Sequence, residues 1–250
     1  MGFLPSKKSE KKIDNPKNLI IFGLPKCGKT TALAKLPNSL LIDLEDGSDY
    51  VEAYTMKAHT VQDLFKIAKA LQEEEHNFQF VILDTITALE DISLTLANKL
   101  YRDTPMGKNF SEADNVLKLP NGAGYLYQRE AMQKIIGWFE AVVPNVILVG
   151  HVKDKALNEA STELVLKDLD LTGKTARILS AKSDAICYVY RDPETHNLMA
   201  NFGGMDEVLC GARMPHLAGK TILLAERVVK DNGDYDIITH WDNIYPSLKQ

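Results

Sequence analysis

The chain has 250 residues, of which 45% are hydrophobic and 25% charged, and its net charge is −5, as in an ordinary soluble globular protein. No apolar run approaches the roughly 18 residues of a membrane-spanning helix, and the N-terminal residues lack the apolar core of a signal peptide. The three cysteines are widely spaced without a C-x-x-C pair, which argues against a zinc site or a disulfide framework and predicts a cytoplasmic protein.

The first residues form a basic tail. Residues 1–17 contain five lysines against two carboxylates, a net charge of +3 that leaves −8 for the rest of the chain. The tail has no apolar periodicity, so we predict a disordered tail over 1–15 and a single domain over 16–250. Because the main body is acidic, any contact with nucleic acid must use a local basic patch.

A phosphate-binding loop follows the first predicted strand. Residues 19–22 are all apolar, as in a strand buried on both faces, and residues 23–30 have the full pattern G-x-x-x-x-G-K-T. The glycines let backbone N–H groups point at phosphate oxygens, Lys29 brings a charge to the β- and γ-phosphates, and the Thr30 hydroxyl can ligate Mg²⁺. A helix over 29–36 would begin on the phosphates and end at Pro37. The sequence therefore predicts a site for ATP and Mg²⁺. The residues predicted to contact the nucleotide are Gly23, Pro25, Lys26, Cys27, Gly28, Lys29, Thr30 and Thr31.

An acidic cluster follows the next predicted strand, residues 40–42. The carboxyl ends of parallel strands share one edge of a sheet, so the cluster would lie beside the P-loop. There Glu45 could orient or deprotonate the water that attacks the γ-phosphate. Asp43 and Asp46 compete for this role, and an acidic turn without a catalytic role is the remaining interpretation.

Another buried strand, in residues 78–84, ends in Asp84. A carboxylate at that place predicts a Walker B residue that holds Mg²⁺ through water. Thr85 follows instead of a second acid, so the D-E pair of motor ATPases is absent. The catalytic acid must then come from elsewhere in the chain.

The order of these motifs resembles the RecA-like ATPases, which have a P-loop, then a glutamate after the next strand, then a Walker B aspartate followed by Ser or Thr. "IDLED" and "VILDTITAL" carry that resemblance here. A further strand, 145–153, ends where the family places a polar γ-phosphate sensor, commonly glutamine, and this chain has His151. His151 with Lys153 is similar to the short phage-encoded RecA-like recombinases and single-strand annealing proteins. The stretches "SDAICYVYRD" and "CGARMPHLAGK" extend this resemblance, which covers about residues 16–225.

The resemblance implies several further properties. His151 would sense the γ-phosphate, and Arg213 would complete the ATP site of a neighbouring subunit. The chain would form a homo-oligomer, either a filament or a ring, on single-stranded DNA, with a single-strand DNA-binding protein as a further candidate partner. If the protein is phage-encoded, its location would be the cytoplasm of a host cell.

The pattern of elements predicts an α/β fold: a RecA-like P-loop core with a twisted, mainly parallel sheet flanked by helices. A capping box at 60–63 starts one helix, apolar residues at helical spacing over 89–100 mark a second, and 126–143 form a third. Two apolar runs joined by a turn with Pro193 predict a hairpin that adds antiparallel strands in the C-terminal part.

Two segments are candidates for contact with single-stranded DNA, because in the RecA-like arrangement they face the filament axis. They are residues 102–124 and 152–176. Phe110 could stack on a base. Both segments also carry acids, so solvated surface loops are the alternative interpretation. The basic residues predicted to contact DNA are Lys108, Lys118, Lys153 and Lys155.

These predictions lead to an ATPase of DNA recombination, stimulated by DNA, that anneals or pairs strands. An ATP-gated DNA-binding module with little turnover would share the same motifs. A small-molecule kinase would need an arginine-rich lid, which the sequence lacks, and a replicative helicase would need a partner domain.

Overall fold

The structure is a computed structural model that describes residues 15–249 except 112–113, 160–161, 205–206 and 232; the side chains of 155–165 are also outside the description. The predicted tail over 1–15 lies outside the described residues apart from Asn15, whose amide donates to Ser247 Oγ at 2.6 Å. Among the described residues, no helix is long and apolar enough to cross a membrane.

The described strands form one mixed sheet. They are β1 (Asn18–Gly23), β2 (Ser39–Asp43), β3 (Tyr54–Lys57), β4 (Phe80–Asp84), β5 (Asn145–Glu159), β6 (Thr162–Leu169), β7 (Ala185–Arg191), β8 (Leu198–Asn201), β9 (Gly211–Ala212), β10 (Thr221–Val229) and β11 (Tyr235–Thr239). Their spatial order is β11-β10-β8-β7-β1-β5-β4-β2-β3, with β6 beside β5 and β9 beside β7. Strands β7, β1, β5, β4, β2 and β3 are parallel neighbours, and β8, β10 and β11 continue antiparallel. The predicted fold class is therefore confirmed.

The described helices are α1 (Lys29–Leu33), α2 (Val61–Glu73), α3 (Ile86–Ile92), α4 (Leu94–Arg102), α5 (Gly124–Glu140) and α6 (Thr175–Lys182). Short 3-10 helices cover Ser48–Tyr50, Pro105–Gly107, Val116–Lys118, Pro120–Gly122, Trp241–Asn243 and Pro246–Leu248. The capping box is confirmed, because Thr60 and Asp63 exchange both of its hydrogen bonds. The helix predicted over 89–100 is in fact two, α3 and α4, separated at Ser93, whose hydroxyl donates to the carbonyl of Glu90.

Both faces of the central strands are covered, which explains their continuous apolar sequence. In β1, Ile20 and Phe22 pack in a core with α2, α3, α5 and α6. Leu19 and Ile21 pack on the other face, in a second core with α1 and the C-terminal segment, residues 241–248. Trp241 of that segment donates its indole N–H to the carbonyl of Ala32 at 2.9 Å. The C-terminal segment therefore fixes α1, and with it the end of the P-loop.

Two expectations about elements were wrong. The segment 152–176 is mostly a long hairpin, because β5 continues past the central sheet and gains the antiparallel partner β6. Segment 102–124 is folded into three 3-10 turns packed on α4 and α5, where Phe110 contacts the ring of Tyr101 edge-on at 5.0 Å. The predicted C-terminal hairpin is confirmed, since β7 and β8 pair antiparallel, and its first strand, β7, also lies parallel to β1.

Candidate functional site

The carboxyl ends of β1, β2, β4 and β5 meet at one edge of the sheet. Gly23, the first residue of the P-loop, lies beside His151, and Asp43 lies beside Asp84. A cleft of about 400 Å³ opens there, a size ordinary for a small-molecule ligand. It is lined by Pro25, Lys26, Gly28, Lys29, Thr30, Thr31, Asp43, Glu45, Gly47, Asp84, Thr85 and His151. The structure thus brings most of the predicted site residues together, with Gly23 and Cys27 just outside the lining.

The two glycines of the P-loop serve different ends. Gly28 adopts a φ of 109°, a left-handed conformation that side chains rarely tolerate, and it is the N-cap of α1. At Gly23, a Cβ atom would lie 2.3 Å from the carbonyl oxygen of Val189, so the absence of a side chain lets β7 pack against the loop. The left-handed backbone turn of the loop depends on Gly28, and the close packing of β7 depends on Gly23.

Lys29 is buried at the centre of the loop, with 6% of the residue exposed. Its ammonium donates to the carbonyl oxygens of Gly23 and Leu24 at 3.0 and 2.9 Å. An ammonium has three N–H donors, so one is left for a ligand. The loop's own carbonyls hold the cation where a phosphate would need it.

Thr30 and Asp84 form the predicted metal pair. The Thr30 hydroxyl donates to Asp84 Oδ2 at 2.7 Å, and burial raises the pKa of Asp84, against the opposing effects of this hydrogen bond and of the Lys29 charge. Mg²⁺ takes oxygen ligands and is usually held by one or two carboxylates together with substrate phosphates. Among the described residues, no group of three or more His, Cys, Asp or Glu is arranged as a metal cage. The donors present therefore fit Mg²⁺ bound together with a nucleotide.

Glu45 is held over the cleft by two partners. The Thr85 hydroxyl donates to Glu45 Oε1 at 2.5 Å, and His151 Nε2 lies 3.3 Å from Glu45 Oε2. The Glu45 side chain is 38% exposed, so its carboxylate still faces solvent in the cleft. His151 Nδ1 is buried, and no hydrogen-bond partner for it lies among the residues that the structure describes. A fixed carboxylate at this edge is placed to accept a proton from a bound water.

The competing acids have other partners. Asp43 accepts hydrogen bonds from the backbone N–H groups of Glu45, Gly47 and Ser48 and from the Ser48 hydroxyl. Burial raises the pKa of Asp43, but these hydrogen bonds outweigh it, and the net pKa is lowered. Asp46 lies 3.0 Å from the Lys57 ammonium and 3.5 Å from His59. The geometry therefore favours Glu45 as the carboxylate that serves a ligand.

A family model described as an AAA domain matches residues 15–223. The chain belongs to this AAA domain family. No curated protein sequence matches it. Among solved structures, the RadB recombinase is similar with 13% sequence identity and a TM-score of 0.46, over 88% of this chain and 90% of that one. The chain is therefore an AAA-type P-loop ATPase.

Sequence reasoning missed one contributor to this ATPase site. In the sequence, Thr85 is recognised as the small hydroxyl residue that follows the Walker B aspartate in place of a second acid, but its contact with Glu45 is not predicted, and its hydroxyl in fact fixes Glu45. Thr85 is also the N-cap of α3, because its backbone carbonyl accepts the N–H of Leu89 in the first turn. The signal available in the sequence was the small hydroxyl residue directly after the Walker B aspartate.

Arg213 of the AAA-domain chain is far from the cleft. Its guanidinium contacts Asp184 Oδ1 at 3.1 Å and donates to the carbonyl of Ala181 at 2.8 Å. Asp184 in turn accepts the N–H of Lys17, just before β1 begins. Arg213 is therefore at the opposite edge of the sheet from the P-loop, and its action on a neighbouring subunit stays a prediction.

The four lysines predicted to contact DNA differ in their surroundings. Lys108 and Lys118 are exposed, and no partner of either is found in the described part of the chain. Lys153 is engaged within the subunit: its ammonium donates to the carbonyl of Leu171 and lies 3.5 Å from Asp170. The side chain of Lys155 lies outside the described residues. Lys108 and Lys118 are thus the available cations.

Proposed function

We propose that this AAA-type ATPase is a Mg²⁺-dependent enzyme of DNA recombination, which binds single-stranded DNA and promotes annealing or strand pairing as the short phage-encoded RecA-like proteins do. The observation that carries the proposal is the position of Glu45, held by Thr85 and His151 at the edge of a P-loop cleft. It supplies a proton acceptor beside the place where a γ-phosphate would lie.

Phosphate binding falls to the loop and to the start of α1. Lys29 would exchange its loop carbonyls for the β- and γ-phosphates, and Thr30 and Asp84 would hold Mg²⁺. When bound, Mg²⁺ neutralises developing charge on the phosphates. The backbone N–H groups at the N-terminus of α1 add a field that favours anions.

Hydrolysis requires that a water be oriented and deprotonated. Glu45 accepts one hydrogen bond on Oε1, and a carboxylate has lone pairs left for a water. His151 on Oε2 fixes the second oxygen and gives the carboxylate a single orientation. A positioned general base contributes about 10²–10⁴-fold to rate.

His151 also connects the nucleotide to residues 152–176, one of the two segments that we expect to contact DNA. It lies in β5, which continues into the hairpin with β6, and its carbonyl accepts the N–H of Asp170 at the hairpin's return. A contact with the γ-phosphate that ADP lacks would favour one arrangement of the hairpin, because only a differential contact shifts an equilibrium. Nucleotide state would thereby change the affinity for DNA.

The test is fluorescence anisotropy of a labelled single-stranded oligonucleotide. Wild-type protein should bind it about 5–150-fold more tightly with a non-hydrolysable ATP analogue than with ADP, the usual scale of coupling between sites. His151→Ala should bind ATP nearly normally and lose most of that difference. The absence of oligonucleotide binding in every nucleotide state would contradict the proposal.

The same assay addresses the lysines. The double variant Lys108→Ala/Lys118→Ala should weaken binding in both nucleotide states and flatten its salt dependence, since two phosphate contacts are lost. Lys35→Ala/Lys66→Ala removes two other exposed lysines and should leave binding unchanged. Equal behaviour of the two double variants would place the DNA contact elsewhere.

A further inference from the structure

Arg191 lies against the P-loop on the side away from the carboxylates. It ends β7, which pairs in parallel with β1. Its Nη2 atom is 2.7 Å from the position that a Cβ atom would take at Gly28. Strand β7 packs closely on the P-loop where Val189 meets Gly23, and it thereby brings the Arg191 guanidinium to the rim of the loop.

The Arg191 side chain is anchored rather than free. Its Nη1 donates to the carbonyl of His196 at 2.9 Å. That carbonyl belongs to the turn between β7 and β8, which Asp192 orders by accepting hydrogen bonds from the N–H groups of Glu194 and Thr195. The guanidinium therefore has one fixed attachment, and its remaining N–H donors stay available.

Among the described residues, the charge of Arg191 has no acidic counterpart. In the part of the chain that the structure describes, no carboxylate lies within 4.0 Å of its guanidinium. By contrast, Arg213 pairs with Asp184, and Arg227 stacks on the ring of Tyr235 at 4.0 Å. An anchored arginine without an acid, beside a loop built for phosphate, is suited to bind an anionic ligand in that loop.

The strand order indicates which part of the ligand it meets. Asp84, Glu45 and His151 come from β4, β2 and β5, all on one side of β1, and they face the γ-phosphate in the proposed function. Arg191 comes from β7, on the other side of β1. A nucleotide whose γ-phosphate points to the carboxylates must extend its nucleoside end away from them.

We infer that Arg191 binds the phosphate chain of the nucleotide at its nucleoside end, within the same subunit. This inference rests on the proposed nucleotide site. Because ATP and ADP share that part of the molecule, Arg191 serves both equally. It adds to binding and takes no part in the attack on the γ-phosphate.

Calorimetric titration with ATP and with ADP tests this inference. Arg191→Gln should raise both dissociation constants about tenfold, the scale of one lost hydrogen-bonded charge contact. Arg191→Lys keeps the charge but loses the planar guanidinium, so its dissociation constants should lie between those of wild type and Arg191→Gln. The turnover rate at saturating ATP should stay within about twofold of wild type, because chemistry lies with Glu45.

Two controls make the result decisive. Arg227→Ala removes another exposed arginine on the same sheet and should bind both nucleotides normally. Lys29→Ala should abolish binding, which reports on the P-loop itself. If Arg191→Gln binds both nucleotides with wild-type affinity while Lys29→Ala binds neither, this inference alone is overturned. A loss of affinity for ATP but not for ADP in Arg191→Gln would overturn it as well. Failure of the wild type to bind either nucleotide would overturn the proposed function with it.

Discussion

Asp84 lies at the floor of the cleft with 8% of the residue exposed. Burial raises its pKa, so the folded protein holds this proton more tightly than the unfolded chain does. The stability linked to Asp84 is therefore complete below the unfolded-state pKa and is lost as the pH rises through the folded-state value. Above the folded-state pKa, the ionised carboxylate lowers the free energy of unfolding until a cation neutralises it.

We predict that Asp84→Asn stabilises the nucleotide-free protein at pH 7. The amide oxygen still accepts the Thr30 hydroxyl, and a midpoint rise of about 2–4 °C corresponds to ~1 kcal/mol in a domain of this size. Thermal unfolding measures it, with the exposed Asp103→Asn as control. The gain should shrink as the pH falls and wild-type Asp84 takes up its proton. A lower midpoint for Asp84→Asn at pH 7 would contradict this account.

The pKa of Asp43 is shifted in the opposite direction from that of Asp84, so its contribution to stability depends on pH in the opposite way. Its pKa is lowered on balance, so its stabilisation is present above the unfolded-state pKa and is lost as the pH falls through the folded-state value. The Asp43 carboxylate accepts hydrogen bonds from the backbone N–H groups of Glu45, Gly47 and Ser48. Asp43→Asn replaces one of its two acceptor oxygens with an NH₂ group, which cannot accept these bonds. We expect a loss of about 1–3 kcal/mol at pH 7, measured by denaturant unfolding. An unchanged free energy of unfolding would show that Asp43 does not hold this turn.

At the scale of elements, Glu90 ties α3 to the return of the β5–β6 hairpin. Its buried carboxylate accepts hydrogen bonds from the N–H of Thr172 at 3.0 Å and from the Thr172 hydroxyl at 2.9 Å. The Thr87 hydroxyl donates to the carbonyl of Asp170 nearby. Helix α3 begins directly after Asp84 and Thr85, so these bonds join the metal pair to the hairpin.

We predict that Glu90→Ala loosens this connection. Leaving the Thr172 N–H without its partner should cost about 1–3 kcal/mol of stability. ATP affinity should change little, while the difference in DNA affinity between the ATP-analogue and ADP states should fall. Thermal unfolding and oligonucleotide anisotropy measure the two effects, with the exposed Glu130→Ala as control. A full ATP-versus-ADP difference in Glu90→Ala would show that the hairpin responds by another route.

Elements with a strong local signal could be predicted from the sequence. The apolar runs of β1 and β4, the P-loop pattern and the capping box at Thr60 each depend on neighbouring residues. Strand β3 could not, because its four residues are all exposed and carry no apolar pattern. The β5–β6 hairpin was missed because its strands are stabilised by each other, and pairing between distant residues leaves little trace in composition.

At the scale of the whole molecule, strand order decides which side chains share the site. Glu45 could be placed at the P-loop edge because parallel strands end together. The sequence does not show which of Arg191 and Arg213 lies at the cleft. In the structure, Arg191 ends a strand at the cleft, whereas Arg213 lies at the opposite edge of the sheet. Only the position of β7 beside β1 separates their roles.

Above all, we propose that Glu45 drives ATP hydrolysis and that single-stranded DNA stimulates it. The most direct test of this claim is the steady-state rate of ATP hydrolysis with Mg²⁺, with and without single-stranded DNA, in wild type and Glu45→Gln. We predict that DNA raises the wild-type rate, and that Glu45→Gln keeps ATP affinity within a few-fold while hydrolysing roughly 10²-fold more slowly or worse. Normal turnover in Glu45→Gln, or a wild-type rate that DNA leaves unchanged, would contradict the claim.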